Sequence, residues 1–207
     1  MAEINYILIL GAALLAAASP GPATLTIAGT AMGSGRTPAL ALASGVLTGS
    51  FMWSIAAAAG MSAVMLAQVW LLEIIRYVGA GYLAWLGIKS ARSALTSGAK
   101  SVELRREQRV GRAYAKGLAL HLTNPKAILF FGSVYAIGLP AGVTPGQLLT
   151  VIMAIGVQSG IIFLGYAMLF SSAPLARAYA RARRGFEAVF AVFFGVAAFK
   201  ILTARLA

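Results

Sequence analysis

Prolines interrupt a long apolar segment in each half of this chain, at residues 19–22 (SPGP) and again at residues 124–126 (NPK). Because proline has no N–H to close the helical hydrogen bond, Pro20, Pro22 and Pro125 deprive the carbonyls of residues 16, 18 and 121 of their usual donors. Within a bilayer such groups must be buried in protein or line a wet cavity. Paired breaks in the two halves of a chain are also the pattern that points to the substrate site of a secondary transporter.

The composition places the chain in a membrane. Hydrophobic residues make up 60% of the 207 residues and charged residues only 11%, whereas soluble domains carry roughly 25% charge. We predict a single-domain, all-α membrane protein with six transmembrane helices, of which the first and fourth are broken at proline. Each predicted span is long enough to cross a hydrocarbon core. The spans cover residues 5–32, 38–67, 69–94, 113–138, 147–171 and 186–204.

The basic residues concentrate between the apolar segments and account for the formal net charge of +12. Arg36 follows the first segment, a basic stretch at 100–112 follows the third, and a cluster at 177–184 lies in the predicted connection 172–185. Basic loops beside spans are typical of the cytoplasmic side, so we predict that both termini lie outside. We expect membrane lipid to be the partner of these charges, and no nucleic acid, because no polar domain carries them.

The two halves resemble each other weakly. The break at Pro20 recurs at Pro125, and the glycine pair at 45 and 49 recurs at 156 and 160. Since each half holds three spans, repeats at about 1–95 and 113–207, joined by a cytoplasmic basic loop at 96–112, must be inverted relative to each other. Small residues four apart also predict closely packed helices and permit a homodimer. The predicted helix-packing residues are Gly45, Gly49, Gly156 and Gly160.

The first break predicts a site for a zwitterion. A helix that restarts at Pro22 presents unpaired N–H groups at Ala23 and Thr24 together with the positive end of its dipole, which binds carboxylates. The Ser19 and Thr24 hydroxyls would add hydrogen bonds, and the freed carbonyls would accept from an ammonium group. The alternative is a kink that only improves helix packing. The candidate substrate-binding residues here are Ser19, Pro20, Gly21, Pro22, Ala23 and Thr24.

The second break places a lysine deep in an apolar segment, where its charge costs about 3 kcal/mol on insertion scales and marks a functional site. Lys126 is a candidate ligand of the substrate carboxylate and a candidate for proton coupling, unless it pairs with a carbonyl or extends toward the interface. Asn124 and Pro125 join it as candidate binding residues, because the amide both donates and accepts. His121, one turn earlier, is a candidate proton relay; simple hydrogen bonding is the alternative.

Two further polar residues lie in predicted spans. Glu73 is a coupling candidate, or else forms an interfacial ion pair with Arg76 at the i, i+3 spacing. Gln158 either binds substrate or donates a hydrogen bond to another helix.

In this order the motifs resemble the LysE-type amino-acid exporter family, which includes lysine and homoserine/threonine exporters. The resemblance covers nearly the whole chain and rests on SPGP at 19–22, glycines 33, 35, 45 and 49, GAGYLAWLGIK at 79–89, and NPKAILFF at 124–131. It implies a bacterial inner-membrane protein of six helices that exports amino acids by proton exchange. It would give functional weight to the SPGP and NPK residues.

The absence of Asp and Cys restricts the function further. Without paired carboxylates or thiols, the chain offers no common hydrolytic dyad or metal cluster, so we expect neither an enzyme, a metal nor a cofactor. A basic cargo would want an acid for its second charge, so we favour a neutral amino acid over a basic one. The remaining alternatives are a non-transport scaffold or lipid-binding protein, and an intramembrane enzyme using Ser19 and Lys126.

Overall fold

The chain is described here from a computed structural model. The description covers residues 4–67, 109–140 and 142–203, together with residues 77, 80, 81, 84, 85, 87–92, 94 and 95. The regular secondary structure of these residues is entirely α-helical, which confirms the helical part of the predicted fold. The predicted third span and most of the basic stretch at 100–112 lie largely outside the described residues.

Seven helices have defined bounds in the described part of the chain. They are α1 (Tyr6–Ala18), α2 (Pro22–Ser34), α3 (Arg36–Ala67), α4 (Val110–Leu122), α5 (Pro125–Gly138), α6 (Pro145–Phe170) and α7 (Ala173–Thr203).

Both proline segments end one helix and begin another. The first predicted span is divided into α1 and α2, whose axes bend by 46° at the break. The fourth is divided into α4 and α5, and the second helix of each pair begins with a proline, at Pro22 and at Pro125. Proline is favoured in the first turn because its missing N–H has no intrahelical partner there.

Within the described residues, two helices are long and apolar enough to cross a membrane, or three if α1 and α2 are one bent span. These helices are α3, over Arg36–Gly60, and α6, over Pro145–Phe170. The apolar part of α5, Lys126–Ala136, is shorter. The number of spans and their inverted arrangement therefore stay predictions.

The predicted connection at 172–185 is wrong as a loop, because α7 runs without a break from Ala173 to Thr203. Its first half is rich in alanine and arginine, which have high helix propensity whether or not they are in lipid. Arg177 and Arg181 are exposed on this helix. The basic residues of this segment therefore show where an apolar run is interrupted, but they do not show where a helix ends.

Close packing of α3 against α4 depends on glycine. A Cβ built on Gly45 would collide with the main chain of Tyr114, and a Cβ on Gly117 would collide with the main chain of Leu42. Small residues of this kind allow two helix backbones to approach. The Tyr114 hydroxyl also donates to Thr48 Oγ1 at 3.0 Å, so α3 and α4 are joined by a hydrogen bond beside the close contact.

The remaining glycines of the two predicted pairs also lie at helix contacts. Gly49 adjoins His121 of α4, where an added Cβ would lie 3.0 Å from the histidine Cβ. In α6, Gly156 adjoins the Phe51 ring and Gly160 adjoins the Leu47 side chain, both on α3. Helix α3 is therefore in contact with α4 and with α6.

Two groups of buried apolar side chains form the core. One joins α1, α5 and α6 through residues such as Ile9, Tyr135 and Ile155. The other joins α2, α3 and the second half of α6 through residues such as Ile27 and Leu42. Both helix breaks lie where these two groups meet, so each break has apolar packing on either side of it.

Candidate functional site

A cavity lies between the two helix breaks. It offers about 40 Å³ to the centres of water-sized molecules, which is room for roughly three waters. Seven of the residues that the sequence singles out line it: Ser19, Gly21, Ala23, Thr24, His121, Asn124 and Lys126.

Lys126 connects the two breaks directly. Its ammonium donates to the Ser19 carbonyl at 3.2 Å and also to the Ser19 hydroxyl. Lys126 is the second residue of α5, where the positive end of the helix dipole disfavours a cation. Ser19 follows the last residue of α1, at the negative end of that dipole. The lysine therefore reaches from an unfavourable helix end to a favourable one, across the wall of the cavity.

The carbonyls that lack their helical donors have substitutes. The Ala16 carbonyl accepts from the Ser19 hydroxyl at 3.1 Å, and the Ala18 carbonyl accepts from the Tyr166 hydroxyl at 2.7 Å. The His121 carbonyl accepts from the Asn124 N–H at 3.2 Å. These three carbonyls already have donors, so the acceptors left at the cavity differ from those that the proline positions indicate.

Two other carbonyls at the end of α1 lie at the cavity. Ala17 lines it, and no described residue donates to its carbonyl. The Ser19 carbonyl accepts only from the flexible side chain of Lys126 among the described residues. An ammonium group in the cavity would therefore find acceptors at Ala17 and Ser19.

The start of α2 provides main-chain donors. The Gly21 N–H donates to the Thr24 hydroxyl at 2.8 Å, and that hydroxyl donates back to the Gly21 carbonyl at 3.1 Å. The Thr24 side chain is thus engaged locally. The N–H groups of Ala23 and Thr24 have no acceptor among the described residues, and both residues line the cavity. Two free N–H groups and the dipole of α2 suit a carboxylate.

The start of α5 is capped by its own residues. The Asn124 side-chain oxygen accepts from the Lys126 N–H at 3.0 Å, and the Asn124 carbonyl accepts from the Ala127 N–H at 2.9 Å. Asn124 is buried. Its carbonyl-type side-chain oxygen therefore stabilises the helix that carries Lys126, which is a different task from accepting from a substrate.

His121 is buried in the cavity wall without a polar partner. The side chain is 5% exposed, and neither ring nitrogen has a hydrogen-bond partner in the described part of the chain. Its ring meets Phe163 edge to face, with 6.0 Å between the ring centroids. An imidazole buried in this way costs free energy unless something in the cavity bonds to it.

Several predicted site residues lie elsewhere. Gln158 is outside the cavity lining, and its amide donates to the Leu10 carbonyl of α1 at 3.0 Å. The prolines shape the two breaks without being part of the lining. Glu73 lies outside the described residues.

The lining also includes residues that were not predicted to be site residues, among them Ser50, Ser159, Phe130, Phe131 and Phe163. Two of them had a signal, because Ser50 follows Gly49 and Ser159 precedes Gly160 in the paired glycine motifs. The cavity lining contains no acidic residue among those described. With Lys126 and the start of α2, its charge balance is positive and suits a ligand that brings a carboxylate.

A family model described as "LysE type translocator" matches residues 14–205. The chain belongs to the LysE type translocator family. Similar proteins include the threonine efflux protein of Escherichia coli (strain K12), 31% identical over 191 residues, covering 88% of this chain and 91% of that protein. The threonine efflux protein of Salmonella typhi is 30% identical over 189 residues, with the same two coverages.

A leucine efflux protein of Salmonella choleraesuis (strain SC-B67) is 35% identical over 134 residues, covering 64% of this chain and 62% of that protein. No solved structure gives a significant match. LysE family membership confirms the resemblance carried by the SPGP and NPK motifs. It identifies a multi-pass membrane protein of a bacterial translocator family, in agreement with the expectation that the chain is a transporter and not an enzyme.

Proposed function

We propose that this chain exports small neutral amino acids across the bacterial inner membrane and binds them in the cavity between its two helix breaks. The observation that carries the proposal is the convergence of the Lys126 ammonium and the free N–H groups of Ala23 and Thr24 on one cavity. Efflux of threonine and leucine by similar proteins supports an amino acid as the cargo.

The cargo carboxylate binds at the start of α2. The two free N–H groups there donate to one oxygen or to both, and Lys126 turns from Ser19 to add a charge-assisted hydrogen bond. The cargo ammonium then takes the acceptors that Lys126 leaves, the carbonyls of Ser19 and Ala17. In the empty state the Lys126 ammonium occupies the position beside the Ser19 carbonyl that the cargo ammonium takes when cargo binds.

A neutral amino acid fits this charge balance better than a basic one. A zwitterion brings one negative and one positive group, and each has a partner in the cavity. The second positive charge of lysine or arginine would face Lys126 with no acid among the described lining residues, and unpaired like charges are costly in a low-dielectric site.

Transport is coupled to protons through groups in the same cavity. Lys126 and His121 are the titratable side chains of the lining as described, and both adjoin the place where the cargo binds. Antiport requires that one group releases its proton when cargo binds. A bound carboxylate stabilises the Lys126 ammonium, so His121 is the first candidate for this release, and Lys126 can give up its proton only after the cargo has left. Glu73 stays a further coupling candidate.

We propose a specific number, repeat arrangement and orientation of the membrane spans as well. Six spans form two inverted repeats, with both termini outside, the basic loops in the cytoplasm and a homodimer permitted by the glycine faces. The equivalent breaks of α1–α2 and α4–α5, linked by Lys126 and Ser19, support this arrangement. Because an amino acid is larger than roughly three waters, the helices around the cavity must separate to admit it, as alternating access requires.

The experiment is counterflow with the full chain in proteoliposomes. Vesicles preloaded with unlabelled amino acid are diluted into labelled threonine, leucine or lysine, with and without a pH gradient, and protein-free vesicles serve as the control. We expect accumulation of threonine or leucine above lysine and stimulation by the gradient. No accumulation of any amino acid, or a preference for lysine, would overturn the proposal.

A further inference from the structure

We propose that Ser50, Ser159 and His121 form a subsite that binds a hydroxyl group on the cargo side chain, so that the preferred cargo is a short hydroxylated amino acid. This inference rests on the proposed function and adds which side chain the cavity selects. It concerns a different part of the lining from the residues that hold the carboxylate and ammonium groups.

All three side chains are buried, and none of them makes a side-chain hydrogen bond to another described residue. Ser50 is 3% exposed and Ser159 is 4% exposed, and neither hydroxyl has a hydrogen-bond partner among the described residues. Buried serines elsewhere in these helices do bond: Ser133 donates to the Leu129 carbonyl at 2.6 Å, and Ser54 bonds to the Tyr135 hydroxyl. The two His121 ring nitrogens are closed off from solvent and unpaired, which costs free energy that a suitable ligand in the cavity would recover, and the two serine hydroxyls are available to the same ligand.

The subsite is assembled by three helices. Ser50 comes from α3, His121 from α4 and Ser159 from α6, and all three line the same cavity. His121 packs against Gly49, the neighbour of Ser50, and its ring meets Phe163, which lies one turn beyond Ser159 on the same face of α6. The glycine is what permits this approach, since any side chain at 49 would press on the histidine.

The chemistry of the subsite matches a hydroxyl. A neutral imidazole has one donor and one acceptor nitrogen in either tautomer, and each serine hydroxyl both donates and accepts. An aliphatic side chain would leave all of these groups unpaired, whereas an alcohol both donates and accepts. The aromatic rings of Phe130 and Phe131 bound the same cavity, so the side chain must be short. Serine, threonine and homoserine fit this description.

Threonine and valine provide the test, because they are nearly identical in shape and differ by a hydroxyl in place of a methyl. In counterflow with labelled threonine, we expect unlabelled valine to compete at least about tenfold more weakly than unlabelled threonine, as for a site that hydrogen-bonds an alcohol. In the double variant Ser50→Ala, Ser159→Ala, we expect the two amino acids to compete within about threefold of each other, mainly through weaker threonine binding.

Ser133→Ala is the matched control, since it removes a buried serine hydroxyl that is already bonded and lies outside the cavity lining. It should keep the wild-type preference. Continued counterflow of valine by the double variant shows that the variant is folded. Equal competition by threonine and valine in the wild type, or an unchanged preference in the double variant, would overturn the subsite alone. Absence of counterflow by every amino acid would overturn the proposed function beneath it.

Discussion

Replacing Lys126 with methionine separates a binding role from a structural one. Methionine keeps an unbranched side chain of similar length but removes the charge and both hydrogen bonds to Ser19. A lysine within a span costs about 3 kcal/mol on insertion scales, and hydrogen bonds to a charged group return about 1.5–3 kcal/mol each. The two bonds together return about 3–6 kcal/mol, so we expect the free energy of unfolding to fall by no more than about 3 kcal/mol.

The effect on transport should be much larger. Removing one partner of a buried, hydrogen-bonded charge pair costs about 2–5 kcal/mol of binding free energy. That corresponds to a loss of roughly 30- to 5,000-fold in cargo affinity. We therefore expect Lys126→Met to need at least about 30-fold more threonine than the wild type for half-saturation of counterflow, while the variant keeps a cooperative thermal transition in detergent.

Lys116→Met is the matched control, because Lys116 is a partly buried lysine of α4 outside the cavity lining. It should transport normally. Lys126→Arg keeps the charge in a different geometry and should retain part of the affinity. Wild-type half-saturation in Lys126→Met would refute the carboxylate assignment. Loss of both transport and thermal stability would indicate that the lysine only holds the two breaks together.

Two predictions concern the packing around the site, and both are read from thermal unfolding of the purified protein in detergent. Gly45→Ala should lower stability by about 1–3 kcal/mol through overpacking against the Tyr114 main chain, whereas Gly165→Ala, which meets open space, should not. Tyr166→Phe removes the donor to the Ala18 carbonyl and should cost about 1–3 kcal/mol; an unchanged stability would mean that this carbonyl needs no donor.

The helix breaks were predictable because they depend on local chemistry. A proline removes one N–H wherever the chain folds, and a lysine in an apolar run is costly in any arrangement. Where the freed carbonyls would find donors was not predictable, because Tyr166 reaches Ala18 from a helix 148 residues away in sequence. Ser50 and Ser159 also escaped prediction, since a serine beside a glycine becomes a site residue only when its helix turns that face to the cavity.

The sequence allowed two interpretations of Gln158 and two of His121, and only the packing of the folded chain distinguishes between them. Gln158 donates to a main-chain carbonyl of α1 instead of facing the cavity, and His121 lines the cavity without the hydrogen bond that a lone histidine most often has. The connection predicted at 172–185 failed for a different reason. Its arginines correctly indicated a polar segment, but the segment is helical and not a loop.

The most direct test of the site is the distance between the cargo carboxylate and the Lys126 ammonium. It can be measured by solid-state NMR dipolar recoupling in lipid bilayers, with carboxyl-¹³C threonine and protein labelled with ¹⁵N at lysine Nζ. Lys126→Arg, which removes that label position alone, identifies the signal. We expect a carbon–nitrogen distance of about 3.5–4 Å, as in a hydrogen-bonded ammonium–carboxylate pair. Bound threonine whose carboxylate shows no dipolar coupling to Nζ of Lys126 would contradict the account.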